Sequence, residues 1–262
     1  MYDVIIIGKG PAGISAALYT LRANLKTLII AKDYGRLIKA DKIENYFGFS
    51  EPVSGEYLLK QGEQQAIRLG ASIIEDEVIT IENTGFFKVA SANREYEGKA
   101  VLLATGQPQK GVGIKNLEMY EGKGISYCTT CDGFFYKNMK VGVLGFKDFA
   151  IHEASELETF TKDITIYTNG NNLELSPKRL KDSERFRVNS KKVTGVEGGE
   201  FLERIVFEDG SSESLDGLFI AYESASSTDF ARKLGIITEG SSVVTDREQQ
   251  TNVAGGFAAG DC

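Results

Sequence analysis

The chain has 262 residues, which at roughly 100–200 residues per domain predicts two domains or one large one. Its 42% hydrophobic and 26% charged content is that of a globular protein and excludes disorder as the default. Lys+Arg 30 against Asp+Glu 37 leaves a net charge of −7, which argues against a general nucleic-acid binder. No apolar run approaches the roughly 18 residues of a membrane span, so no membrane partner is expected. A strand-like run begins at Asp3 and leaves no room for a signal peptide, so a cytoplasmic location is expected. Three cysteines and one histidine exclude a disulfide-rich scaffold and most metal enzymes, so no metal site is expected.

In chain order, the buried-strand pattern Val4–Ile7 runs into Gly8, is followed by a helical pattern over Ile14–Leu21, and returns to a strand at Thr27–Ile30. Strand patterns follow at Ile79–Ile81, Phe86–Val89 and Ala100–Ala104. The opening motif then recurs: Val141–Leu144, Gly145, a helix over Ala150–Phe160, and a strand at Ile164–Tyr167. Strand–helix–strand occurring twice predicts an α/β protein with two Rossmann-like nucleotide-binding domains, the second inserted in the first. Glycine-punctuated crossings are expected within Gly106–Gly113 and Tyr222–Thr228. Residues 178–192 hold Lys178, Arg179, Lys181, Arg185, Arg187, Lys191 and Lys192 against Asp182 and Glu184. The ordinary reading of such a run is a solvated face, and the alternative is a steering surface for an acidic partner, for which Lys110, Lys115 and Lys123 form another set.

Gly8-Lys9-Gly10-Pro11-Ala12-Gly13 is G-x-G-x-x-G between a strand and a helix. Its first glycine allows the turn, its second lets a pyrophosphate approach the backbone, and its third packs helix against strand. An acidic ribose ligand is expected about 20 residues on, near Asp33. Cys128-Thr129-Thr130-Cys131 is C-x-x-C, a spacing that allows a small redox-active disulfide. Zinc would need a second ligand pair, and only His152 and Cys262 remain; c-type haem would need His at 132, where Asp stands. Two unused buried thiols are the bland alternative. Cys262 reads as a small packing residue and His152 as a surface or cap residue.

Across nearly its whole length the sequence resembles the low-molecular-weight thioredoxin reductase family. The matching segments are Val4–Ala17, Ile43-Glu44-Asn45-Tyr46-Phe47-Gly48-Phe49, Leu103–Gly106, Tyr127–Tyr136 and Gly256–Asp261. The resemblance implies FAD, approached by Gly8, Gly10, Pro11, Ala12, Gly13, Ala31, Lys32, Asp33, Arg36, Leu37, Asn45, Val78, Ala104, Thr105, Gly106, Gly260 and Asp261. It implies that Cys128 and Cys131 form the redox disulfide, that Cys128 attacks the substrate, and that Asp132 protonates the leaving thiolate. It also implies domains at 1–112 with 224–262 (FAD) and 113–223 (redox disulfide), a homodimer, and thioredoxin or a thioredoxin-like protein as substrate.

The departures cluster at the family's NADPH site. Its second G-x-G-x-x-A loop reads here Gly145-Phe146-Lys147-Asp148-Phe149-Ala150, with Lys147 at the glycine that admits the pyrophosphate. The cationic cluster expected after the next strand reads Thr168-Asn169-Gly170-Asn171, and a later glycine position is Glu223. This pattern is similar to ferredoxin-dependent flavin thioredoxin reductases and implies reduced ferredoxin rather than NADPH as donor. The alternatives are an NAD(P)H-dependent thioredoxin reductase with an atypical pocket, or a non-catalytic flavin-binding regulatory protein. The family also continues beyond Gly-Asp into a helix at the flavin, so the resemblance implies either further chain after Cys262 or an exposed flavin ring.

Overall fold

The computed structural model describes residues 1–106 and 112–262. The expected crossing at Gly106–Gly113 falls largely outside these residues, as does Lys110. The chain divides into two compact units, Met1–Pro108 with Ser226–Cys262, and Gln109–Ala225.

The first stretch runs β1 (Tyr2–Ile7), α1 (Pro11–Arg22), β2 (Thr27–Ala31), α2 (Gly55–Arg68), β3 (Ser72–Glu75), β4 (Val78–Asn83), β5 (Phe87–Ser91) and β6 (Glu95–Leu103). The second runs β7 (Ile125–Ser126), α3 (Thr129–Asp132), β8 (Val141–Leu144), α4 (Asp148–Leu157), β9 (Ile164–Tyr167), α5 (Pro177–Ser183), β10 (Arg187–Asn189), β11 (Val193–Gly198), β12 (Leu202–Phe207), β13 (Ser212–Ser214) and β14 (Gly217–Ile220). The chain ends with α6 (Ser227–Leu234), β15 (Thr238–Glu239), β16 (Ser242–Val243) and β17 (Gly256–Ala258).

In the first unit one sheet has the order β3-β2-β1-β6-β5-β4, with β17 also pairing β6. Its β3-β2-β1-β6 portion and β17 are parallel, while β4 and β5 add antiparallel strands. Ile5, Ile6, Leu28, Ile29 and Ile30 are fully buried, the state expected of strands covered on both faces. Burial of each such side chain is worth about 1.5–3 kcal/mol. The second unit holds a parallel sheet of order β10-β9-β8-β14-β7 and a separate antiparallel sheet β11-β12-β13.

Local details differ from the sequence pattern for identifiable reasons. α1 starts at Pro11, ahead of the apolar run at Ile14, because proline suits the first turn, where no N–H is needed. α4 begins at Asp148 and stops at Leu157 rather than Phe160, whose carbonyl accepts instead from the Asn138 amide at 3.0 Å. β5 starts at Phe87, since the Phe86 carbonyl is taken by the Thr84 amide in a turn.

Candidate active site

In the first unit, β1 ends in the glycine loop. Gly8 has φ +112°, and a Cβ there would lie 2.2 Å from the Ala104 carbonyl oxygen. A Cβ on Gly13 would lie 2.0 Å from the Gly8 oxygen. These two glycines are demanded by packing. Gly10 differs: it caps α1 in an extended conformation, and a Cβ would meet none of the described residues within 4 Å. No side chain caps this helix, so open space faces its first turn. That is the arrangement a pyrophosphate requires, and the residues present therefore fit a dinucleotide.

Of the other expected residues, Ala104, Thr105 and Gly260 lie against the loop. Ala104–Gly106 leave β6 beside Gly8, and Gly106 adopts φ +75°, where a Cβ would meet no described residue within 4 Å. Thr105 is fixed by Ser227, its Oγ1 2.7 Å from the Ser227 hydroxyl and accepting from the Ser227 amide at 3.0 Å. Gly260 (φ +90°) passes so close to Ala12 that a Cβ would lie 2.9 Å from the alanine methyl group. Asp261 and Cys262 follow, and burial pushes the Cys262 thiol up from its ordinary value. Ala31 closes β2 in the core and Val78 opens β4, both buried. Arg36 and Leu37 sit on a 3-10 turn, Arg36–Lys39. Lys32, Asp33 and Asn45 are exposed, and Asp33 accepts from the Gly35 amide at 2.7 Å.

Sequence reasoning missed Lys9. Although it lies inside the loop, its side chain is buried and turned to α2, where Nζ bonds Glu63 at 3.2 Å and lies 3.8 Å from the Tyr34 ring centre. Tyr34 donates to the other Glu63 oxygen, a bond that pushes its phenol up to about 12. Only the three-dimensional path of α2 brings these residues together, and no spacing signals it.

In the second unit, Cys128 and Cys131 form a disulfide with Cα atoms 5.3 Å apart. Cys128 caps α3, and its Sγ accepts from the Cys131 amide at 3.2 Å. Cys128 is 3% exposed, whereas Cys131 is exposed, so the sulfur expected to attack substrate is the covered one in this form. Ser126 organises the pair: its hydroxyl accepts from the Cys128 amide at 3.1 Å and donates to Asp132 Oδ2 at 2.7 Å. Gly133 is required here, since a Cβ would fall 2.7 Å from the Phe160 ring. α4 lies against α3, and Glu153 and Glu156 reach it, a connection with no sequence signal.

The second glycine loop repeats the first in position. A Cβ on Gly145 would lie 2.2 Å from the Ala221 oxygen, as Gly8 does with Ala104. Where Gly10 caps α1 over open space, Lys147 caps α4. Its Nζ lies 3.5 Å from Glu174, and residues 174–176 are laced across the loop. Glu174 donates its amide to the Phe146 oxygen at 2.8 Å, and the Ser176 amide donates to the buried Asp148 carboxylate at 2.8 Å. Phe146 is buried against Tyr222 with ring centres 5.3 Å apart. Beyond β9, Thr168–Asn171 is closed on itself: Thr168 Oγ1 donates to the Asn171 oxygen at 2.6 Å, and Asn171 Nδ2 donates to the Thr168 oxygen at 2.9 Å and to Tyr222 at 3.0 Å. Glu223 stands nearby in sequence with φ +63°.

The basic run at 178–192 is largely neutralised. Arg179 pairs with Asp182, Arg185 with Glu158 and Asp182, Arg187 with Asp163, Lys191 with Asp209 and Lys192 with Glu208. Four of these carboxylates lie outside the run, so the charge excess seen in sequence is not a free positive surface. No described helix is long and apolar enough to cross a membrane.

The profile of the pyridine nucleotide-disulphide oxidoreductases matches residues 2–262, and the chain is an oxidoreductase of that class. Among curated relatives, the thioredoxin reductase of Streptomyces coelicolor is 34% identical over 274 residues, covering 99% of this chain and 85% of the relative. Among solved structures, an atypical thioredoxin reductase from Desulfovibrio vulgaris Hildenborough is 40% identical with a TM-score of 0.95, over 100% of this chain and 90% of that one. A ferredoxin-flavin thioredoxin reductase from Clostridium acetobutylicum is 25% identical with a TM-score of 0.68, over 100% and 89%. The chain belongs to the thioredoxin reductase family, of the low-molecular-weight type, whose members are FAD-binding flavoproteins.

Proposed function

We propose that the chain reduces the disulfide of thioredoxin or a thioredoxin-like protein with electrons from reduced ferredoxin rather than from NADPH or NADH. The carrying observation is the blocked second loop. Lys147 stands where Gly10 stands in the first loop, and Glu174, the buried Asp148 and Phe146 occupy the mouth of α4. A pyrophosphate brought there would meet two carboxylates, and its lysine is already paired. The 2′-phosphate of NADPH would find no cation in Thr168–Asn171. The likeness to a ferredoxin-flavin thioredoxin reductase supports the same donor.

On this reading the first unit is the FAD-binding domain, the second carries the redox disulfide, and two copies form the working homodimer. Gly10, Ala12, Gly13, Thr105, Gly106 and Asp261 would hold FAD, which when bound would supply the two electrons for reduction of the Cys128–Cys131 disulfide. The chain's own residues do the rest. The Cys128 thiolate attacks one sulfur of the substrate disulfide, and the other substrate sulfur leaves and takes a proton from Asp132. The Cys131 thiolate then attacks the Cys128 sulfur of the mixed disulfide, restoring the Cys128–Cys131 bond and releasing the second substrate sulfur as a thiolate, which takes its proton from water. Asp132 is positioned for proton delivery by the Ser126 hydroxyl.

Anaerobic mixing of the flavoprotein with NADPH, NADH or reduced ferredoxin, followed at the flavin absorbance, tests the donor. Bleaching by ferredoxin alone is the expected result. Rapid bleaching by micromolar NADPH would return the chain to the pyridine-nucleotide-dependent type.

A further inference from the structure

We propose that Lys9 is a positioning residue for the cofactor: its buried ammonium group ties α2, the segment after β2 and the end of β3 to the glycine loop, and so pre-forms the half of the site that takes the ADP portion of FAD. The proposal rests on the reading of Gly8–Gly13 as the cofactor loop.

Lys9 is 4% exposed and holds three groups at once. Its Nζ bonds Glu63 Oε1 at 3.2 Å, stands 3.7 Å from Glu75 Oε2 and lies 3.8 Å from the Tyr34 ring centre. Tyr34 in turn donates to Glu63 Oε2. Lys9 follows β1, Tyr34 follows β2, and Glu75 closes β3 opposite Ala31. These are neighbouring parallel strands in the order β3-β2-β1, and a dinucleotide lies at the carboxyl ends of such strands. Tyr34 stands between Asp33 and Arg36, two of the residues expected at the cofactor.

The packing of α2 delivers Glu63 to this place. Leu59 and Ala66, four residues before it and three after, are buried on the same helix face. The preceding Gly62 comes so near α1 that a Cβ there would lie 3.0 Å from Ile14 Cγ2. Glu63 therefore puts a carboxylate on the packed face of α2, where Lys9 and Tyr34 meet it.

Seating the loop does not demand an ammonium group. The second glycine loop has Phe146 at the place of Lys9, buried against Tyr222 with ring centres 5.3 Å apart. An apolar side chain lying on an aromatic ring is sufficient there. Replacing a buried ion pair by apolar residues often leaves a protein as stable or more so, which makes stability a weak reason for the pair. What Lys9 adds is a set of links from the loop to α2 and β3 that a phenyl ring cannot make. Residues held by those links are ordered before the cofactor arrives, so less freedom is lost on binding.

The test measures FAD retention by the holoprotein, with neither an electron donor nor thioredoxin present, so the outcome is independent of the donor proposed above. The protein is diluted stepwise and ultrafiltered, flavin in the filtrate is quantified, and ADP is then added as competitor. In Lys9→Met the stem still covers the Tyr34 ring and only the ammonium group is lost. The dissociation constants for FAD and for ADP should both rise about tenfold or more, and by the same factor, because the perturbed half is common to the two ligands. The visible spectrum of the flavin that stays bound should match wild type. If Lys9→Met does not yield folded holoprotein, Glu63→Gln, which weakens the same bonds while keeping their shape, should weaken FAD and ADP alike by a smaller factor. Wild-type affinities in the folded variant, FAD weakened without ADP, or an altered flavin spectrum overturns the proposal. A wild-type protein that holds no FAD would instead overturn the reading of the loop, and the proposal with it.

Discussion

Replacing Gly10 by valine should remove the cofactor without unfolding the chain. Gly10 lies in extended backbone that any residue adopts, and a Cβ there meets none of the described residues within 4 Å. The apoprotein should therefore change in stability by no more than about 1 kcal/mol, with part of the effect arising from the unfolded chain. Valine's methyl groups would fill the space that a pyrophosphate needs above the first turn of α1. Gly8→Val and Gly13→Val are the controls. Their Cβ atoms would lie 2.2 and 2.0 Å from carbonyl oxygens, and Gly8 adds a φ of +112°. Backbone strain and overpacking together cost about 2–6 kcal/mol, a large part of a domain's stability. At about 2–4 °C per kcal/mol, apo Gly10→Val should melt within about 4 °C of wild-type apoprotein, and the controls far below it or not fold. The assay pairs flavin content per chain, from visible absorbance, with thermal melts of stripped protein. Full flavin occupancy in Gly10→Val would sink the assignment of this loop to the cofactor. A large loss of apo stability in Gly10→Val would refute the claim that the position is reserved for a ligand rather than for packing.

Other outcomes follow from named contacts. Cys128→Ser and Cys131→Ser should each abolish thioredoxin reduction, with the double variant hardly worse than either, because the two sulfurs act as one unit; an active Cys131→Ser protein would remove the dithiol mechanism. Asp132→Asn should slow turnover about 10²–10⁴-fold, measured at saturating donor, as loss of a positioned acid predicts. Tyr34 should titrate near pH 12 in an absorbance titration, and Tyr34→Phe should delete that step. Because its folded value lies above the unfolded one near 10, the stability it contributes is whole below pH 10 and lost as pH rises toward about 12. Ser226→Ala, which breaks the capping box of α6 and the Asp229 contact, should cost about 1 kcal/mol in denaturant melts. Reversing Arg185 and Arg187 to Glu should leave ferredoxin-driven rates unchanged at low salt, since both are already ion-paired; a steep loss would reinstate the run as a steering surface.

Much of the fold was legible because parallel strands buried on both faces write themselves as apolar runs, as at Val4–Ile7 and Val141–Leu144. The glycine loop and the cysteine pair were legible because their chemistry depends on residues adjacent in sequence. The remainder depends on residues far apart in the chain. Lys9 is only a variable position of the glycine motif in sequence, and its bond to Glu63 is made by the path of α2. The run 178–192 looks cationic until Glu158, Asp163, Glu208 and Asp209 close on it. In sequence Lys147 stands at the glycine that admits the pyrophosphate; in the structure Glu174 pairs with it and Asp148 binds the Ser176 amide at the same place. The burial of Cys128 and the approach of Glu153 likewise arise from packing of α3 on α4, which no periodicity encodes.

The proposed route takes electrons from ferredoxin through this chain to a thioredoxin disulfide. It is tested most directly by following thioredoxin thiols under anaerobic conditions with this protein and one donor at a time. Reduced ferredoxin should yield two thiols per thioredoxin disulfide in a reaction that requires both Cys128 and Cys131, and NADPH or NADH alone should yield none. Sustained thiol production from micromolar NADPH, with none from ferredoxin, would contradict the account.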